Sequence, residues 1–330
     1  MKTTTTRRDF LKASAALLPV AGLPFAATSA ASTAIKRVGG AFLQPALNAY
    51  SFLELLNENI TDASKGIDLF GVCDFCAKHN MAAVDLTGYF FPGYPKVPES
   101  SYIARIKKYT HDLGLDISGT GVRNDFATAD KAVRAEGVQL TKDWIEVAAR
   151  LGAPVVRVFA GPQKPHADWL AASGNASRQD VEGWMADALR ECAEHGQKFG
   201  VIVAVQNHGD FLSTGAEHVS LLERVNHAWC GALVDTGKYF TDDPYADIAL
   251  VAPHAVNWQI KETIKSRTDS PRTDCRKLVK IIRDSGYRGY LPIETLSMRR
   301  KNYDPFVEVA KLLTELREAI AEPACPRLQL

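Results

Sequence analysis

The sequence predicts an α/β fold, a (β/α)8 TIM barrel forming a single domain, and three observations carry that expectation. Short apolar runs rich in Val, Ile and Leu alternate with longer amphipathic stretches between residues 42 and 320. Strands that alternate with helices build a parallel sheet of right-handed units, and eight such units close into a barrel. Setting aside a leader of about 30 residues leaves about 300, a usual length for one barrel.

The leader comes first. MKTTTTRRDFLKASAALLPVAGLPFAATSA carries Arg7 and Arg8 ahead of Asp9, Phe10, Leu11 and Lys12, then an Ala/Leu stretch and a small-residue end at Thr28, Ser29 and Ala30. This is the pattern of a twin-arginine export signal. Residues 1–30 are therefore read as a signal peptide, 31–41 as a linker, 42–322 as the barrel and 323–330 as a loose tail. Pro19, Gly22 and Pro24 interrupt the apolar run from Ala13 to Ala27, which excludes a stable membrane span. Such export implies folding in the cytoplasm, engagement of the twin-arginine machinery and work in the periplasm.

The expected strands are Leu43–Ala49, Ala82–Leu86, Leu115–Gly119, Val155–Ala160, Val201–Gln206, Gly231–Asp235, Ala255–Ile260 and Tyr290–Glu294. The near-continuous apolar character of these runs is that of strands buried on both faces. Between and after them, helical periodicity predicts helices over Gly66–Asn80, Ser100–Leu113, Asp130–Leu151, Arg178–Phe199, Thr214–Asn226, Pro244–Ala252, Asp274–Ser285 and Pro305–Ile320. Gly114, Gly152, Gly200 and Gly286 each stop a helix just ahead of a strand. The long polar and aromatic loops TGYFFPGYPKVPES, GPQKPHADWLAASGNASRQD and KETIKSRTDSPRTD all precede helices, as on an active-site rim.

Composition narrows the function. The 39 Lys and Arg residues are balanced by 38 Asp and Glu, for a net charge of +1, and they are mixed along the chain. Without a basic stripe, nucleic acid is set aside as a partner. The six cysteines are scattered through a large domain, unlike a disulfide framework. Cys73 and Cys76 form a CxxC in mid-helix, whereas a redox pair sits at a helix N-terminus, so they are read as helix packing.

Four polar residues each close one apolar run: Gln206 in VIVAVQNHGDF, Asp235 in CGALVDTGKY, Gln259 in AVNWQIKE and Glu294 in YLPIETL. In a parallel barrel the site lies at the C-terminal strand ends, so four oxygen-bearing side chains converge there. At these strand ends, in QNHGDF, VDTGKY, QIKE and PIET, the chain resembles the xylose isomerase-like barrel superfamily of sugar isomerases and epimerases over residues 42–320. In the epimerase branch the four places hold Glu, Asp, His and Glu around one divalent metal, Mn2+, Mg2+ or Co2+. The resemblance therefore implies a carbohydrate substrate and a metal held by Gln206, Asp235, Gln259 and Glu294. Asp235 and Glu294 match that pattern and the two glutamines depart from it. An amide oxygen ligates a hard cation without charge, which weakens the site. Nor is an amide a base, so Glu294 is left as the carboxylate suited to proton abstraction.

One base next to a carbonyl suits two chemistries, isomerisation or epimerisation of a sugar, and elimination from or hydration of 3-keto-glycosides. A third reading is a barrel that only holds sugar. Around the quartet, His208 is placed as an acid or hydroxyl partner. Lys261, two residues past Gln259 on the same face, is placed as a substrate or oxyanion contact. Lys238, Arg157, Asn48, Asn207 and Trp169 are the candidate substrate-binding residues. Arg157, a charge in mid-strand, is expected either to face carboxylates such as Glu294 inside the barrel or to anchor an internal ion pair. Asn48, Tyr50, Asp85, Arg123 and Asn124 end strands at the rim, and Phe90, Phe91, Tyr94 and Trp169 are the aromatics available for stacking on a sugar ring. Oligomeric state is left open. Phosphodiester cleavage of the endonuclease IV kind would need a His-rich set of metal ligands and a basic face, and neither is present.

Overall fold

The computed structural model describes residues 34–162, 168–208, 211–297 and 300–323. The expected signal peptide and C-terminal tail lie outside the described residues, apart from Pro323 of the tail. Eight parallel strands close in sequence order into a barrel. They are β1 (Phe42–Asn48), β2 (Ala83–Asp85), β3 (Asp116–Gly121), β4 (Val155–Phe159), β5 (Ile202–Gln206), β6 (Cys230–Asp235), β7 (Ala255–Lys261) and β8 (Arg288–Glu294). β8 returns to pair with β1, so no edge remains open. No described helix is long and apolar enough to cross a membrane.

Helix starts follow the chain's short polar residues. Asp68, Asp130, Ser177, Asp243, Asp274 and Asp304 each accept a backbone N–H of the first turn, and Thr214 forms a reciprocal capping box with Glu217. Gly152 and Gly200 end their helices at φ of 82° and 71°, as the sequence predicts. Two α-helices, Leu53–Thr61 and the single turn Trp169–Ala172, were not expected from the sequence. The first begins without a side-chain cap on Phe52, so it lacks the start signal by which helices are read. Cys73 and Cys76 are buried in the helix Leu69–Lys78, and burial pushes the Cys73 thiol up to about 12, consistent with packing.

Outside the strands, a continuous apolar shell packs the helices onto the barrel. Inside, Val155, Ala204 and Leu233 form a separate small core. The interior also holds polar groups, and β3 makes room for them. A Cβ on Gly119 would come within 2.8 Å of Asp85 Oδ2, and one on Gly121 within 2.8 Å of the Arg157 guanidinium carbon. These two glycines in SGTG explain why β3 extends past its expected end at Gly119.

Asp85 is destabilising in this interior. Burial, opposed by Arg157 and reinforced by Glu294, pushes its carboxyl up to about 7, and Asn257 Nδ2 donates to it at 3.4 Å. A folded-state pKa above the unfolded value means that the native state prefers the protonated acid. Stability should therefore be greatest below about pH 4 for this group and fall as pH rises to about 7. Asp85→Asn is expected to flatten that dependence, leaving stability near wild type at low pH and raising it by a few kcal/mol at pH 8. Urea melts at the two pH values would show it, and equal stabilisation at both would refute it.

Candidate functional site

Strand register builds the site. Pairing sets Asp235 beside Gln259 and Lys261 beside Glu294, and period-two alternation sends Asn257, Gln259 and Lys261 of β7 to one face. The four residues expected to converge are joined at the C-terminal mouth. Gln206 Nε2 donates to Asp235 Oδ2 at 2.8 Å and to Gln259 Oε1 at 2.6 Å. Lys261 Nζ lies 3.3 Å from Asp235 Oδ2 and donates to Glu294 Oε1. All five side chains are buried. Burial acts to lower the Lys261 pKa, but Asp235 and Glu294 outweigh it and hold the ammonium above its ordinary pKa.

Asparagines fix the frame. Asn207, expected to bind substrate, is instead committed to β6: its Nδ2 donates to the Asp235 carbonyl at 2.9 Å and its Oδ1 accepts the Asp235 N–H at 2.8 Å. Asn124 clamps the Phe159 backbone in the same way at 2.9 and 2.7 Å. Thr236 Oγ1 accepts the Lys261 N–H at 2.9 Å, so the backbone of the lysine is also pinned.

A cavity of about 620 Å³ opens above this floor, and its lining includes Asn48, His208, Lys238 and Arg157 together with Gln206, Gln259, Lys261 and Glu294. Asn48 caps the turn after β1 through Tyr50 N at 2.9 Å. His208 packs on the Phe159 ring at 4.6 Å with Nδ1 buried and unpartnered. Burial and the positive charges of Lys238, Lys261 and Arg157 hold its imidazole well below the usual range, which favours the neutral ring and the hydroxyl-partner role of the two expected for it. Burial likewise lowers Lys238. Trp169 is absent from the lining and packs edge-on against Phe211 at 5.3 Å. Phe90 and Phe91 are core residues. Tyr89, Phe159, Glu54 and Ser297 line the cavity without having been expected there. Phe159 was readable, because it lies two residues past Arg157 on the same strand; nothing in TGYFF singles out Tyr89.

Arg157 corrects the ion-pair expectation. Its guanidinium donates to the Val122 carbonyl at 2.6 Å and to the Tyr89 hydroxyl, and it lies 3.9 Å from the Phe159 ring centroid. Neutral groups, not carboxylates, hold it.

The donor set does not fit the divalent metal that the resemblance implies. A hard cation needs converging oxygens and negative charge. Here both Gln206 N–H donors point at the would-be ligands Asp235 and Gln259, leaving Gln206 Oε1 buried and unpartnered. The two carboxylates are already paired with Lys261, which leaves the cluster a single net negative charge.

An eight-stranded parallel barrel with a charged cavity at the strand C-termini defines a small-molecule site of the barrel class. Within that class, the chain belongs to the xylose isomerase-like TIM barrel family, whose model matches residues 73–319. Its fold is similar to that of D-psicose 3-epimerase from Clostridium cellulolyticum H10, with a TM-score of 0.66, 12% identity and coverage of 84% of this chain and 99% of that one. A sugar phosphate isomerase/epimerase from Parabacteroides distasonis gives a TM-score of 0.59 at 18% identity, covering 88% and 99%. A 3-keto-D-glucoside 4-epimerase from E. coli gives 0.61 at 14% identity, covering 84% and 99%. No curated protein is significantly similar to the sequence.

Restoring a carboxylate should expose the charge balance. Gln206→Glu sets a third anion against Asp235, so the variant is expected to melt several degrees lower and to recover on adding Mn2+, while wild type does not respond. Thermal melts with and without Mn2+ decide this, and a wild-type response equal to the variant's would contradict it.

Proposed function

We propose that this protein is a sugar-active enzyme of the isomerase/epimerase kind that removes a proton next to a carbonyl using one carboxylate, Glu294, with the Lys261 ammonium in the place of a metal. The observation that carries the reading is the contact of Lys261 with both Asp235 and Glu294 on the floor of the cavity. A base and a fixed cation side by side are the two groups that enolisation requires. Glu294 accepts the proton from carbon, the electron pair moves onto the carbonyl oxygen, and a Lys261 N–H stabilises the charge that develops there. Asp235 holds the ammonium in position. Where an epimerase would need a second base, Gln206 and Gln259 offer only amides. Glu294 therefore returns the proton on the same face but to the neighbouring carbon of the enediol, while the hydroxyl proton there passes by way of Lys261 to the former carbonyl oxygen, which is isomerisation.

The family and the sugar isomerase and epimerase folds to which the chain is similar support a carbohydrate substrate. The Arg7-Arg8 leader supports a periplasmic place of work. Lys238 favours a second outcome on the same floor. Burial lowers its pKa, which makes it a readier proton donor to a leaving oxygen, so a 3-keto-glycoside would undergo elimination instead of proton return.

Turnover of free ketoses and 3-keto-glucosides in D2O tests the proposal. Deuterium should enter at the carbon next to the carbonyl, and Glu294→Gln should slow the reaction about 10²–10⁴-fold with substrate binding little changed. Chelation with EDTA should leave the wild-type rate intact. Near-normal turnover by Glu294→Gln would move the base elsewhere, and loss of activity on chelation would remove Lys261 as the electrophile.

A further inference from the structure

The cavity floor is electrically complete around Lys261, but the wall formed by β3 and β4 is not. Arg157 is only 4% exposed, lines the cavity and is held by a carbonyl, a hydroxyl and a ring. Among the described residues no carboxylate makes an ion pair with it. Removing a guanidinium from water without a counter-charge is costly, and an anionic ligand in the cavity would supply that counter-charge. Two of its five N–H donors are used by Val122 and Tyr89, so donors remain for a ligand. Arg123 lies 4.3 Å from the centroid of the same Tyr89 ring and also lines the cavity, at its exposed edge. Asp85, whose carboxyl feels the charge of Arg157, is hydrogen-bonded to Asn257 instead and, pushed up to about 7 chiefly by burial, is only partly ionised at neutral pH. Glu54, the other acid of the lining besides Glu294, accepts from Ser297 at 2.5 Å.

We infer that Arg157 and Arg123 form an anion subsite, and that the substrate is a sugar carrying a negatively charged oxygen group, a carboxylate or a phosphate, at the end of the molecule away from Glu294. Gly121 belongs to the device, since any side chain there would displace the guanidinium. The inference rests on the enolising site described above for the orientation of the sugar, and on Arg157 alone for the charge.

Calorimetric titration of the purified protein with D-glucose, D-glucuronate and D-glucose 6-phosphate reads the preference without turnover. At least one anionic probe should bind about 10- to 100-fold more tightly than D-glucose, the worth of a charge-assisted hydrogen bond. The tighter of the two anions identifies the group as carboxylate or phosphate. Arg157→Met should erase the preference. Arg123→Gln, at an exposed position that leaves folding untouched, should reduce it a few-fold and decides the matter if Arg157→Met does not fold. Binding of D-glucose equal to that of both anions, no binding of either anion, or a preference that survives both variants overturns the inference. Proton exchange on neutral keto-sugars without anion preference would refute this subsite and leave the proposed reaction standing; anion preference without any exchange would do the reverse.

Discussion

The site depends on one buried ion triad, the Lys261 ammonium held between Asp235 and Glu294. Each of the three charges would be prohibitively unfavourable alone in the barrel interior, and each is tolerable only because the others are there. The triad also dictates its neighbours. Gln206 turns its amide nitrogen toward Asp235, and Gln259 completes the contact as acceptor. Removing the lysine would leave two carboxylates facing each other through a pair of amides.

Around this centre the cavity has two electrical halves. Strands β5 to β8 supply a network that joins the Gln206 amide, Asp235, Gln259, Lys261 and Glu294 by hydrogen bonds and ion pairs. Strands β3 and β4 supply cationic and aromatic groups bonded to neutral partners. The asymmetry orients a ligand before any specific hydroxyl is recognised. The frame is rigid where orientation matters, since Asn124 and Asn207 tie the ends of β4 and β6 by their backbones and not through their functional side chains.

Much of this was legible in the sequence. Buried parallel strands announce themselves by unbroken Val and Ile, and period two placed Lys261 with Gln259 correctly. What could not be read has physical causes. Asn207 and Trp169 lie in segments where a polar or aromatic residue serves substrate and scaffold equally well, and only three-dimensional contacts show that Asp235 and Phe211 claim them. The extent of β3 was hidden because Gly119 and Gly121 carry no strand propensity; they are there for the side chains opposite. For Arg157, burial was foreseeable from its place in VVRVF, but the rule that buried charges are paired pointed to a carboxylate, and the protein uses a carbonyl, a phenol and a ring. The helix Leu53–Thr61 shows how a short helix escapes detection when its start has no cap.

A cation attached to the backbone obeys different statistics from one that diffuses in. A free ion occupies its site according to its concentration and dissociation constant, and the protein gains stability from it only in proportion to the logarithm of that ratio. Lys261 has no such equilibrium: its effective concentration is set by four methylene groups and the pinned β7 backbone, and it is the same in every molecule. A tethered ammonium is neither exchanged nor withheld as a diffusing metal is, and its polarising field is weaker than a divalent ion's.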